Sequence, residues 1–267
     1  MSKRIYIMVW LLATALATYA QYTDTIRAVR YTHLFGFGSV NLLDTYLSPL
    51  EYKGQHFSTL HTTYRTLRPG SRWTLSSRYG GDVAQATSPT DDGKYWDANF
   101  YAAAALRRKM KHKRGSALNI EGGFMGETFL GGTYSTRGGN NPAQGRLGAQ
   151  IGLSGEASYT FYLWHKPWRA VAALDVPLLG VCFSPRYGQS YYEIFELRQD
   201  DHNIRCTYLG NAPSALFTAM IEIPLGKTAL AVGYQADVRQ SHLSYLKRHS
   251  WQNRFVIGWT RRIHILP

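Results

Sequence analysis

The chain has 267 residues, of which 45% are hydrophobic and 14% aromatic, with 19 Tyr, 7 Trp and 25 Gly. Its formal net charge is +13, and no second long apolar segment follows the N-terminal one, which excludes a bundle of membrane-spanning helices. A basic chain is typical of nucleic-acid binding, but the export signal described next argues against a nucleic-acid partner.

The N-terminal segment is predicted to be a signal peptide. A basic pair precedes an apolar run over residues 5–17, and small residues occupy the positions before a cleavage site between Ala20 and Gln21. The run is shorter than the roughly 20 apolar residues that a spanning helix needs. We therefore expect residues 1–20 to be removed on export and residues 21–267 to form one domain.

Apolar and polar residues alternate with a period of two along most of the mature chain. The alternation over residues 147–163 is longer than the roughly five or six residues of a usual globular strand. Successive strand side chains point to opposite faces, so each strand has one apolar and one polar face. The pattern predicts ten strands, around residues 29–38, 57–66, 72–79, 96–107, 118–124, 146–163, 168–181, 215–223, 228–239 and 254–263.

The links between these strands alternate between short and long. Short links are predicted at residues 67–70, 109–114, 165–167 and 224–226, and long ones at 39–54, 80–94, 127–145, 184–213 and 240–250. Brief periplasmic turns and extended outer loops are typical of outer-membrane barrels. The sequence therefore predicts an all-β fold, a transmembrane antiparallel up-and-down barrel of about 10 strands, with 12 or 8 as alternatives.

The charged residues on the polar parity of the strands are expected to face the lumen. Unpaired buried charges are costly, so we expect ion pairs and trapped water there. Wide aqueous channels need about 16–18 strands, which favours a stabilising polar plug over a conducting path or a substrate site. The predicted lumen network comprises Asp97, Glu121, Glu156, Asp175, Glu222, Asp237, Arg72, Arg78, Arg107, Arg169, Arg239 and Arg254.

Asp200, Asp201 and His202 are the candidates for chemistry in the longest outer link. Carboxylates and a histidine at a barrel rim can activate water or hold a divalent cation, although solvated loop charge is the simpler interpretation. No nucleophile-elbow, HExxH, Walker or dinucleotide pattern occurs. The sequence therefore predicts neither a cofactor nor a metal site.

Cys182 and Cys206 flank the same link and are the two cysteines of the chain. In an oxidising compartment such a pair can form a disulfide that closes the link. The alternative is that Cys182 is a small apolar residue at a strand end.

Residues 107–114, RRKMKHKR, are the densest charge run. Strand counting places this run on the periplasmic side. A solvated turn is the simpler interpretation, and contact with an acidic periplasmic partner or peptidoglycan is the alternative.

The segment from Val40 to Gly54, VNLLDTYLSPLEYKG, resembles the hallmark of a family of unknown function. Its members are secreted, predicted outer-membrane proteins of Bacteroides-type bacteria. The resemblance covers essentially the whole mature chain and implies an outer-membrane barrel, but it carries no activity or catalytic residues. The polar composition and Ser-Pro turn signal indicate that the segment folds inward as a constriction or contacts the barrel wall.

The leading functional hypothesis is an outer-membrane barrel, structural or narrowly conducting, with surface loops that bind a ligand or partner. One alternative is a rim enzyme acting on protein or lipid. Another is a soluble periplasmic barrel that carries an apolar ligand, with apolar residues inside and charges outside. The expected partners are outer-membrane lipid, lipopolysaccharide and the barrel-insertion machinery.

Overall fold

The computed structural model describes residues 27–68, 70–110, 117–137, 139 and 141–265. The predicted cleavage site at Ala20 and Gln21 lies outside these residues. No helix in the described part of the chain is long and apolar enough to cross a membrane. The elements are β1 (Arg27–Asp44), β2 (Ser48–Thr66), β3 (Trp73–Thr87), β4 (Lys94–Lys109), β5 (Leu118–Ser135), β6 (Ala143–Leu163), β7 (Lys166–Phe183), α1 (Tyr191–Phe195), β8 (Ile204–Tyr208), β9 (Ser214–Leu225), β10 (Thr228–Leu243) and β11 (Leu246–Ile265).

Ten of the strands close into an antiparallel barrel. β1 pairs with β2 and with β11, and β7 closes the ring by pairing with β6 on one edge and β9 on the other. Within the described residues, β8 pairs only with the end of β7, over Leu179–Phe183, and lies outside the ring. The predicted ten-stranded antiparallel barrel is confirmed.

The two ends of the barrel carry different links. The near end is the end at which β1 begins and β11 finishes, with Arg27 paired to Ile265. The links at this end cover residues 67–72, 110–117, 164–165 and 226–227. Those at the opposite end, the far end, cover residues 45–47, 88–93, 136–142, 184–213 and 244–245. The 184–213 link contains α1 and β8.

The long loops predicted at 39–54, 80–94, 127–145 and 240–250 are wrong, because the strands continue into all four segments. Their links shrink to residues 45–47, 88–93, 136–142 and 244–245, and 184–213 keeps its predicted length. The segment VNLLDTYLSPLEYKG is therefore no constriction: it is the β1–β2 hairpin of the wall, with Val40 opposite Gly54 and Leu42 opposite Tyr52. At this hairpin the pattern of the strands reverses: the apolar Val40, Leu42 and Tyr52 face inward, and polar residues such as Lys53 face outward, which hides the strands in the sequence.

The barrel has an apolar outer face and a polar inner face. Phe37, Val83 and Ile151 point outward and are 57%, 57% and 62% exposed. Side chains of the opposite parity are buried inside, and many of them are charged. This is the inverse of the arrangement that a soluble barrel carrying an apolar ligand requires, so the structure contradicts that alternative.

Glycines on the inner face allow strands to approach closely where the wall bends. At Gly258 on β11 an added Cβ would lie 1.8 Å from the backbone oxygen of His33 on β1. At Gly122, on the outer face of β5, the nearest atom would be the Cε of Met110 at 3.4 Å, an ordinary contact.

Replacing Gly258 with Ala is expected to lower the free energy of unfolding by about 1–3 kcal/mol or more, because the added methyl group meets rigid backbone. Urea titration of the refolded protein measures this change. Gly122→Ala is the matched control and should stay within about 0.5 kcal/mol of the unsubstituted protein. Equal effects of the two substitutions would contradict the close approach of β1 and β11.

Candidate functional site

The structure places most of the predicted lumen residues on the inner face. Asp97, Glu121, Glu156, Asp175, Glu222, Asp237, Arg107 and Arg254 are buried, and Arg78, Arg169 and Arg239 are half-buried inside the barrel. The prediction that Arg72 faces the lumen is wrong. Arg72 lies exposed in the 67–72 link before β3 begins, where no strand parity applies.

Glu156 on β6 is the centre of a cluster at the near end. Arg30, Arg107 and Arg169 place guanidinium nitrogens 3.2, 3.2 and 3.0 Å from its carboxylate oxygens. Arg169 also contacts Glu222 at 3.4 Å. One carboxylate thus joins β1, β4 and β7 across the lumen. We call these five residues the near-end ion cluster.

A second chain of ion pairs crosses the middle of the lumen. The carboxylate of Glu127 on β5 lies 2.6 Å from a guanidinium nitrogen of Arg239 and 3.5 Å from one of Arg78. Arg78 also pairs with Asp175. Arg239 reaches Asp237 at 2.9 Å as well. The chain therefore connects β3, β5, β7 and β10.

Asp97 on β4 organises a third polar group nearer the far end. Its carboxylate accepts hydrogen bonds from Arg146 and Thr133, both at 2.5 Å, and from Asn99 at 2.6 Å. Asn99 donates to Asp82 at 3.0 Å. Both oxygens of this carboxylate are therefore hydrogen-bonded by the side chains around it.

Apolar layers separate the polar groups inside the lumen. Tyr101 packs with residues of six other strands in the middle of the barrel, namely Leu34, Leu60, Val171, Met220, Ala231 and Val256. Nearer the far end, the rings of Tyr52 and Tyr95 stack with centroids 3.6 Å apart and planes at 5°. The lumen is filled by side chains rather than open from end to end.

A cavity of about 100 Å³ lies between the middle layer and the far end. Its wall combines charged groups, including Asp44, Arg146 and Arg248, with Leu243 and Leu246. A smaller space of about 40 Å³ lies around Leu34, Leu60 and Met220. The larger one, which we call the far-end cavity, is polar and roomy enough to hold water or a small molecule.

Sequence reasoning missed several members of the inner network. Glu127 falls in the long link predicted at 127–145, although β5 continues to Ser135. Arg30 and Arg146 lie on the inward parity of predicted strands and were detectable by that signal. Asp44 and Arg248 fell in predicted loops that the structure shows to be strand.

The rim candidates Asp200, Asp201 and His202 lie exposed in the 184–213 link. Their backbone groups hold the link together: Asp200 O accepts from Asn203 N at 3.3 Å, and Asp201 O accepts from the Arg186 guanidinium at 2.5 Å. No group of three or more His, Cys, Asp or Glu side chains placed to hold a metal occurs in the described part of the chain. A catalytic role for the three residues stays a prediction.

The predicted disulfide between Cys182 and Cys206 is wrong. Both thiols are free, although β7 and β8 pair directly. In the register, Cys182 is opposite Arg205 and Cys206 is opposite Val181. Neighbouring positions along a strand face opposite sides, so Cys182 lines the far-end cavity while Cys206 points outward.

The basic run at 107–114 is divided by the barrel wall. Arg107 is 3% exposed and pairs with Glu156, so it lies on the inner face, as in the predicted lumen network, and not in a solvated turn. Arg108 points outward, with its guanidinium carbon 5.7 Å from the Trp73 ring. Residues 111–114 lie outside the described residues, so a partner at this turn stays a prediction.

The 184–213 link is anchored to the barrel. Tyr46 OH donates to Gln189 O at 2.9 Å, and Tyr191 OH accepts from Gly145 N at 2.5 Å. Burial raises the pKa of Tyr46 to about 12, so its phenol stays protonated and can donate. The backbone N–H and hydroxyl of Ser190 lower the pKa of Glu193, completing the capping box of α1.

A family described as "Protein of unknown function (DUF3316)" matches residues 4–267. The chain belongs to this family. The resemblance is therefore confirmed at the level of an uncharacterised family, while the Bacteroides-type source and Val40–Gly54 as the hallmark of the family stay predictions. No curated protein matches the chain.

Several solved outer-membrane barrels are similar to the chain in outline. The translocator domain of the autotransporter NalP from Neisseria meningitidis has 12% identity and a TM-score of 0.40, covering 97% of this chain and 96% of that chain. The outer membrane protease OmpT from Escherichia coli has 6% identity and a TM-score of 0.47, covering 92% of this chain and all of that one (100%).

Replacing Glu156 with Gln is expected to lower the free energy of unfolding by about 3–5 kcal/mol, because Arg30, Arg107 and Arg169 then remain buried around an uncharged group. Urea titration of the refolded barrel measures this loss. Glu196→Gln removes the same charge from an exposed position in the 184–213 link and should have little effect. A similar loss in both variants would show that the near-end ion cluster does not hold the barrel together.

Proposed function

We propose that this protein is an outer-membrane barrel of a Gram-negative cell with a closed lumen, which binds a ligand or partner at its far end. The observation that carries the proposal is the distribution of polarity, with apolar side chains outside and paired charges inside. Lipid solvates the apolar side chains of the outer face and would exclude the charged side chains of the lumen.

The outward apolar band has the form that a bilayer requires. Trp96, Tyr134 and Trp251 border it toward the far end, and Trp73 and Tyr159 border it toward the near end; all five are at least 38% exposed. Aromatic girdles of this kind flank the apolar band of membrane barrels. Residues 53 and 55 of β2, Lys and Gln, face outward beyond the band, which supports a far end that projects into the cell exterior.

The filled lumen favours a structural or ligand-binding barrel over a diffusion pore. Ten strands leave little more than room for side chains. The ion clusters and the apolar layer around Tyr101 occupy that room. Export through the signal peptide, contact with lipopolysaccharide and insertion by the barrel-assembly machinery belong to the same proposal.

Membrane insertion predicts a large difference between two arginine substitutions. Ile257 is 46% exposed and faces outward in the middle of the band, so Ile257→Arg should lower the free energy of unfolding in lipid vesicles by about 2–4 kcal/mol. Gln55→Arg, outward-facing but beyond the band, is the control and should cost about 1 kcal/mol or less. Urea unfolding in vesicles, with fractionation and a heat-modifiability gel for location, measures both. Equal small effects, or recovery of the protein without detergent, would contradict the membrane location.

The closed lumen predicts a gain of conductance when the central layer is removed. Tyr101→Ala with Met220→Ala should join the two cavities and give measurable current steps in planar bilayers, where the unsubstituted protein gives none. Tyr134→Ala together with Phe255→Ala truncates outward side chains and is the matched control. Steady large currents from the unsubstituted barrel would show that it is a pore.

A further inference from the structure

Asp44 and Arg248 face each other at the far end of β1 and β11. They are cross-strand partners, and both line the far-end cavity. Asp44 is 4% exposed, and its Oδ1 accepts a hydrogen bond from Tyr46 N at 3.1 Å. Its Oδ2 is buried without a hydrogen-bond partner among the described residues. A buried carboxylate oxygen left without a donor is uncommon in a folded protein.

Arg248 is the cationic counterpart of this orphaned oxygen. Among the described residues, its guanidinium makes no hydrogen bond and no ion pair, although Arg146, Asp97 and Asp44 are the charges that act on it most strongly. Asp97 makes no ion pair with it in the described part of the chain, and Arg146, Thr133 and Asn99 already donate to that carboxylate. Arg248 therefore offers its donors to the cavity.

This arrangement differs from most of the lumen. Seven arginines on the inner face of the ring have an ion pair, namely Arg30, Arg78, Arg107, Arg146, Arg169, Arg239 and Arg254. Among the described residues, Arg205 on β8, opposite Cys182, and the exposed Arg262 of β11 have none. Directly opposed strand residues have Cα atoms about 4.5–5.5 Å apart, so Asp44 and Arg248 are close enough to bracket one small molecule.

The surroundings of the pair suit a small polar molecule with a short side chain. Ser241 on β10 is the other cross-strand partner of Arg248, and Ser250 lies next along the inner face of β11. Both hydroxyls line the cavity and can donate to a bound anion. Leu243 and Leu246 supply an apolar wall, and the volume of about 100 Å³ excludes bulky groups.

We propose that the far-end cavity binds a small zwitterion of the α-amino acid class. Its carboxylate takes the guanidinium of Arg248, which presents a fork of donors that matches a carboxylate. Its ammonium group donates to Oδ2 of Asp44. The molecule thus gives the buried Oδ2 of Asp44 a donor and the half-buried guanidinium of Arg248 an acceptor. The inference deepens the proposed function by naming the ligand of the far end, and it rests on that function only for the location of the cavity at the cell surface.

Calorimetric titration of the refolded full chain in detergent tests the ligand class. Glycine and L-alanine should bind saturably, whereas sodium acetate and methylammonium chloride, which each supply one of the two charges, should bind more weakly. Equal binding of acetate and glycine would overturn the role of Asp44. Absence of saturable heat with either amino acid would overturn the proposal and leave water as the bridge between the two side chains.

Substitutions assign the two charges. Arg248→Gln should weaken glycine binding by about 10–100-fold, because it removes a charged hydrogen-bonding partner of the carboxylate. Asp44→Asn should bring glycine binding down to the level of acetate. Lys247→Gln is the matched control, since it removes a cation from the exposed, outward-facing neighbour of Arg248. Glycine binding that is unchanged in Arg248→Gln, or equally weakened in Lys247→Gln, would refute the site.

A further variant distinguishes a loss of binding from a loss of folding. Arg248→Lys keeps the charge but loses the fork, so it should bind glycine with intermediate affinity even if Arg248→Gln fails the heat-modifiability gel. Unchanged affinity in this variant would refute bidentate recognition by Arg248. A barrel that inserts and stays closed but binds no amino acid sinks this inference alone, whereas a barrel that fails to insert sinks the proposed function.

Discussion

The pairing of charges across the lumen is the constraint on which this structure depends. An arginine inside a barrel is separated from bulk water by a wall of strands, and leaving it unpaired would cost several kcal/mol. The near-end ion cluster meets that requirement by giving three arginines one shared carboxylate, Glu156, on a fourth strand. Because its members come from distant strands, the cluster forms only when the ring has closed. The same contacts that remove the electrostatic penalty therefore also select the closed barrel.

Strand parity explains why much of this arrangement could be predicted from the sequence. Glu156 and Arg169 lie in long alternating segments, so their inward direction follows from the apolar residues beside them. The parity rule fails where the alternation fades. Asp44 and Arg248 lie beyond the outward apolar band, where apolar residues face inward as well as outward and only the hydrogen-bond register identifies strands. Arg72 shows the opposite error, since parity was extended past the first residue of β3.

The register of paired strands also decides which side chains can meet, and distance along the chain does not. Cys182 and Cys206 lie on paired strands, yet a shift of one position turns their side chains to opposite faces. No spacing rule in a sequence reveals such a shift. The ion pairs have the same property: which carboxylate each arginine meets depends on stagger around the ring. The sequence could therefore predict the composition of the lumen but not its connections, and the unpaired Asp44 and Arg248 became visible only with the register.

The outer face obeys the requirement for pairing as well, although lipid replaces the lumen there. His33 and His61 are cross-strand partners that point outward within the apolar band. Nδ1 of His61 lies 3.0 Å from Nε2 of His33, and its Nε2 lies 3.1 Å from the hydroxyl of Thr63. A neutral imidazole has one donor and one acceptor, so His61 can satisfy both of its nitrogens without water. Tyr234 and Asn253 form a comparable pair on the same face. Polar side chains persist in the band because their partners lie on the same or the adjacent strand. On both faces of the wall, therefore, the barrel holds polar residues where a nearby side chain can pair with them.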